Sequence, residues 1–78
     1  MISVKLTGQF KTLAPEGSDN GLFDADCRGR PLGELLASLG VDGAGVKYTV
    51  IVNNSRAQKG YALQDGDSVI VMPLLAGG

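Results

Sequence analysis

The chain has 78 residues, 12 of them glycine, and 7 basic side chains against 8 acidic ones leave a net charge of −1. One domain of that size buries a single modest core and has no room for a deep substrate pocket, and the charge balance offers no basic surface for nucleic-acid phosphates or anionic lipid, which disfavours both as partners. Histidine is absent and Cys27 is the only cysteine, so the usual general base, the nucleophile–histidine pairs, a disulfide framework and the ligand sets of zinc or an iron–sulfur cluster are all missing.

In Met1-Ile2-Ser3-Val4-Lys5-Leu6-Thr7 the apolar residues alternate with polar ones, the pattern of a strand with one buried face, and Gly8 ends it. No long apolar stretch resembles a signal peptide or a membrane span, so a cytosolic protein is expected. Phe10 and Leu13 return apolar surface to the core in a second, less regular segment. Pro15 to Gly21 then reads as an exposed loop, and Leu22 to Cys27 resumes a strand. Either segment is a candidate hairpin partner for the first strand, and the later one is assigned as a strand.

Pro31 suits the first helical position, Glu34 sits near the positive end of the helix dipole, and Leu32, Leu35, Leu36 and Leu39 form one apolar stripe. With Gly40 placed as a left-handed cap, a helix is predicted from Pro31 to Leu39, its stripe facing the core. Val41 to Gly45 is a turn-rich connection, and Tyr48 to Val52 is strand-like. Asn53-Asn54 turns the chain, Arg56 to Leu63 is mixed, and Asp65-Gly66-Asp67 leads into a last strand from Ser68 to Met72. Pro73 forbids that strand from continuing as an ordinary central one. The sum is an α+β domain over residues 1–72, its helix packed across one face of a mixed sheet of four to five strands.

Three apparent motifs carry no chemistry. Gly40 to Lys47 looks like a phosphate-cradling loop, yet Val46 stands where glycine is needed before the lysine, and the segment leaves a helix instead of opening one. Asn53-Asn54-Ser55 reads as a turn before it reads as a glycosylation triplet, and Asp65 with Asp67 lacks the further ligands of a metal loop. Cys27 reads as a small buried hydrophobe; the alternative, a reactive thiol, has only Arg28 as a neighbouring positive charge. Arg56 and Lys59 lie between the last two apolar segments, where solubility is their plain role and positive charge for an acidic partner the alternative.

The ending carries the functional signal. Residues 73–78, Pro73-Leu74-Leu75-Ala76-Gly77-Gly78, form a flexible tail that spans up to roughly 20 Å when extended, enough to enter a deep cleft while the body stays outside. Two residues without a Cβ make a thin strip, so the terminal carboxylate of Gly78 is the expected reactive group.

The Asp65-Gly66-Asp67-Ser68-Val69 turn, Val50-Ile51-Val52-Asn53 and the Met72-to-Gly78 ending together resemble the ubiquitin-like sulfur carriers, which include the small subunit of molybdopterin synthase and the thiamine sulfur carrier. Chain length and the proline near the end lean toward the molybdopterin type, although Pro73-Leu74 stands where that type often has two prolines. The resemblance implies a β-grasp fold with the first and last strands paired in parallel at the sheet centre. It further implies that Gly78 is adenylated by an E1-like activating enzyme using ATP, then converted to a thiocarboxylate with sulfur from a persulfide donor or sulfurtransferase. Gly77 keeps the approach unhindered, while Pro73, Leu74, Leu75 and Ala76 bind the partner's channel and apolar sheet surface near the tail docks the body. A large synthase subunit is a further implied partner; the chain itself is no enzyme and binds no cofactor or metal. Two other functions fit the same ending: a protein modifier that joins Gly78 to target lysines, and a non-covalent β-grasp adaptor whose tail only docks.

Overall fold

Ile2, Val4 and Leu6 point to one side of the first strand and are fully buried, while Lys5 between them is exposed. In the computed structural model, which describes residues 1–74, this strand is β1 (Ile2–Leu6), followed by β2 (Leu22–Ala25), helix α1 (Leu32–Leu39), β3 (Tyr48–Val52), β4 (Ser55–Arg56) and β5 (Ser68–Pro73). The five strands form one mixed sheet in the order β2-β1-β5-β3-β4. β1 and β5 run parallel at its centre, and every other neighbouring pair is antiparallel. Apolar residues from β1, β3 and β5 pack with Leu32, Leu35 and Leu36 of α1 in a single core, and Leu39 is partly buried against it.

The expectation of an irregular second segment gives way to a 3-10 turn over Gly8–Leu13. Gly8 adopts φ +59°, which bends the chain sharply out of β1, and Phe10 plugs the end of the core with zero exposure. The hairpin partner of β1 is the later segment, shortened to Leu22–Ala25. Gly21 permits the return: a Cβ there would lie 2.3 Å from the Leu6 carbonyl oxygen, to which the chain comes close enough for the Leu6 amide to donate to the Gly21 carbonyl at 2.9 Å.

Pro31 lies one residue outside the helix, not in it, with ψ 145° and a bridge to Ala62. No side chain caps α1; instead the amides of Leu32 and Gly33 donate to the carbonyls of Tyr61 and Lys59. The orphan donors of the first turn are thus satisfied by a distant backbone segment. At the other end Gly40 (φ +82°) closes the helix, its amide bonding Ala37 and that of Val41 bonding Leu36, the paired bonds of a Schellman ending.

The mixed stretch after Arg56 is explained by the same contacts, since residues 58–61 leave the sheet to serve as the cap of α1. Asn53 and Asn54, at φ +51° and +70°, make the two-residue turn between β3 and β4. Asp67 is 6% exposed and accepts from the Gln64 amide, Asn53 Nδ2 and the Tyr61 hydroxyl, tying the turn before β5 to the end of β3. Asp65 pairs instead with the amino group of Met1. The two aspartates have separate structural partners, and no metal-binding cluster is present among the described residues.

Candidate functional site

The last strand does not stop before its proline: β5 extends to Pro73, which lies opposite Tyr48 of β3. The expectation that Pro73 ends the strand is corrected by the position of its missing donor. Leu74 donates its amide to the Lys47 carbonyl at 2.9 Å, so the Pro73 nitrogen faces away from β3 toward β1. There the parallel ladder has just ended with the bond from the Thr7 amide to the Val71 carbonyl; the next rung would need an N–H from residue 73. The Thr7 carbonyl takes the Phe10 amide instead, inside the 3-10 turn. Proline is therefore compatible with a central strand at this one rung.

The Pro73 ring also packs on Gly8, where a Cβ would lie 2.7 Å from Cγ of the proline. Gly8 on one side and Lys47 on the other fix where the chain leaves the sheet. Leu74, 47% exposed, is the last described residue. Leu75, Ala76, Gly77 and Gly78 lie outside the described residues, so the expected reactive carboxylate and most of the expected channel-binding segment do too.

Beside this exit, the sheet face opposite α1 carries an unpartnered apolar surface. Strand alternation turns Val69 and Val71 into the core and Ile70 and Met72 outward, both half-buried. The registers place Leu22, Lys5, Ile70, Ile51 and Arg56 side by side, one from each strand in spatial order. Met72 continues the patch toward Pro73, opposite Thr49. The result is an apolar centre of Ile51, Ile70 and Met72 with a cation on either side. Ile51, Ile70 and Met72 were not singled out individually from sequence; the signal was present in Val69-Ile70-Val71-Met72, which is apolar at every position and so marks a strand with two faces to cover.

Arg56 and Lys59, grouped by sequence proximity, are separated by the fold. Arg56 stands on the outer face opposite Ile51, while Lys59 swings to the helix side, where its ammonium sits 2.9 Å from Asp42 and 5.8 Å from the centre of the Tyr48 ring. The Tyr48 hydroxyl donates to the same Asp42 oxygen at 2.6 Å. That hydrogen bond, and then the one from Lys59, lowers the Asp42 pKa; burial first and Asp42 second raise that of Tyr48. The ring meets Phe10 edge-on at 5.9 Å, so the cluster braces the start of β3 beside the exit.

Cys27 is half-buried, and burial first, with Asp26 second, raises its pKa. That keeps it a thiol, against the reactive alternative. The Gly40-to-Lys47 segment runs from the end of α1 through a 3-10 turn at Asp42–Ala44 into β3, with no helix start for an anion to meet. No helix among the described residues is long and apolar enough to cross a membrane.

The architecture is similar to that in the crystal structure of SAMP1 from Haloferax volcanii, with a TM-score of 0.67 over 99% of this chain and 98% of that one at 22% identity. The likeness shows the fold, a β-grasp of the ubiquitin-like type. No curated protein matches the sequence. The ThiS family model matches residues 4–78, from the first strand through the glycine pair, and with the parallel β1–β5 centre and the strand that ends at Pro73 it identifies the chain as a member of the ThiS family of ubiquitin-like sulfur carriers.

Proposed function

We propose that Gly78 is the acceptor of sulfur: its carboxylate is adenylated by an E1-like partner with ATP and release of pyrophosphate, the terminal sulfur of a donor persulfide displaces AMP to give an acyl disulfide, and a second thiol reduces that S–S bond, releasing the thiocarboxylate and leaving the donor sulfur and the second thiol joined as a disulfide. A carboxylate is a poor electrophile until a phosphoryl group makes one of its oxygens a leaving group. The thiocarboxylate that follows is a soft nucleophile able to pass sulfur on. The single observation that supports this reading is the exit of β5 at Pro73, held between Gly8 and Lys47 next to the Ile51–Ile70–Met72 patch. A docked body and a projecting end are what a partner with a deep active site requires. In this reading the patch and Leu74 dock the chain, Leu75 and Ala76 line the partner's channel, and Gly77 leaves the reacting carbon unhindered.

The chain then acts as a co-substrate and holds no cofactor, ATP belonging to the activating enzyme. Of the receiving pathways, molybdopterin formation is favoured over thiamine formation by chain length and by the proline before the tail, with a large synthase subunit as the final partner. The test is intact mass spectrometry of the untagged protein after incubation with an activating enzyme, ATP and a sulfur donor. Replacement of one oxygen by sulfur on the Gly77-Gly78 fragment is expected. An unmodified end, with the same enzyme competent on another carrier, would overturn the proposal, and thiol-stable conjugates to lysines would point to a protein modifier.

A further inference from the structure

β3 is paired along its full length with β5 but only partly with β4. After Arg56 the neighbouring chain keeps one more bond, from the Ala57 amide to the Val50 carbonyl, and then departs to cap α1 through Lys59 and Tyr61. The departure vacates the edge of β3. The Tyr48 N–H and C=O face this side, because Thr49 faces β5 and groups alternate. Among the described residues neither Tyr48 group has a backbone partner, and neither do those of Val46.

The vacated edge opens on a groove of about 910 Å³ between β3, the 56–59 segment and the side of α1. Its helix-side wall is apolar, with half-buried Val46, Tyr48 and Ala57 at the surface over the buried Leu36 and Val50. Its charges are Lys47, Arg56, Lys59 and Asp42; Lys59 and Asp42 pair with each other, which leaves Lys47 and Arg56 outside any ion pair among the described residues. Arg56 stands on the outer face of the sheet, and alternation puts Lys47 there as well.

We infer that this edge of β3 binds an extended acidic segment of a partner protein by strand addition. An added strand places alternate side chains on opposite faces. One set meets the half-buried Val46 and Ala57, the other meets Lys47 and Arg56, so the segment alternates apolar with acidic residues. A second copy of this chain is a poor occupant, because pairing β3 with β3 would bring the unpaired Lys47 and Arg56 of both copies together. Leu74 borders the same groove, so a bound strand lies against the root of the tail and couples body recognition to tail presentation. Binding needs no ATP, sulfur or activating enzyme, and its failure would leave the thiocarboxylate proposal untouched.

The experiment is an amide NMR titration of the full chain with a short capped peptide of alternating valine and glutamate. Expected are saturable shifts centred on Val46, Tyr48 and Ala57, slowed hydrogen exchange at Tyr48, and weakening by about tenfold in the Lys47→Glu and Arg56→Glu variants. The chain is short enough for total synthesis, and N-methylation of the Tyr48 amide removes one edge donor while sparing the side chain and the β3–β5 ladder; it should abolish binding. A peptide with lysine for glutamate should not bind. The inference is overturned by shifts confined to the Ile51–Ile70–Met72 face, by equal binding of the N-methylated protein, or by no binding at all. It is overturned too if binding appears only after deletion of residues 75–78, which would make the tail the occupant, or if the free protein dimerises through Tyr48, which would mean a second copy.

Discussion

Asp67 is the residue on which the fold turns most sharply. Its carboxylate receives three donors, from the Gln64 amide, Asn53 Nδ2 and the Tyr61 hydroxyl, at 2.8–2.9 Å. The backbone bond from Gln64 holds its pKa below the usual carboxylate range, against the opposing effect of burial, and the bonds from Asn53 and Tyr61 add to it. Because the folded pKa is the lower one, the unfolded chain binds more protons in acid, so this contribution is complete above the unfolded value of about 3.9 and is lost as pH falls below it. Replacing Asp67 with alanine leaves three donors unmatched and is expected to cost about 2–4 kcal/mol, measured by urea unfolding at neutral pH. Asp67→Asn should flatten the acid limb of the stability profile; an unchanged limb would assign the acid sensitivity elsewhere. The Asp65-Gly66-Asp67 turn was legible from sequence, but the two roles were not, since Asn53 and Tyr61 reach Asp67 from 14 and 6 residues away.

Among the elements, the β1–β2 hairpin depends on one backbone position. Gly21 holds φ +88° with the Leu6 carbonyl where a Cβ would go, whereas Gly43 has open space and an ordinary φ. Gly21→Ala is expected to lower stability by about 2–3 kcal/mol and Gly43→Ala to change it by less than about 0.5 kcal/mol, read from thermal melts of both. Equal melts would contradict the hairpin geometry. Elements with long-period patterns were readable in advance: the alternation in β1, the leucine stripe of α1 and the β-branched run of β3 each match a face that is buried. Elements set by a distant partner were not. The 3-10 turn at Gly8–Leu13 is specified by Phe10 reaching the core and Pro73 sitting on Gly8, the shortness of β4 by the pull of Lys59 and Tyr61 toward the start of α1, and Pro31's place outside α1 by its bridge to Ala62.

At the scale of the whole molecule, the sheet presents two faces with different duties. The inner face is sealed by α1, and the outer one keeps Ile51, Ile70 and Met72 half-buried beside the exit of the chain. Truncating Ile70 to alanine removes the centre of that surface while leaving the core intact. The expected result is a loss of about 1 kcal/mol or less in stability and about a tenfold weaker interaction with the activating enzyme, measured as KM for the carrier in an adenylation assay. An unchanged KM would move the docking surface away from this face. The existence of such a face was legible in the run from Val69 to Met72, and its composition was not, because Lys5, Leu22, Ile51 and Arg56 join it only through strand register.

The strand at the centre of the sheet is also the last of the five to be synthesised. In the sheet, β5 is the only link between the β1–β2 hairpin and the β3–β4 hairpin, and neither two-stranded unit is stable in isolation. A polypeptide interrupted before residue 68 therefore presents two unjoined ribbons and an uncovered leucine helix. Truncation of the chain before β5 thus also removes the fold, so it yields incomplete fragments in place of folded chains that lack only their end.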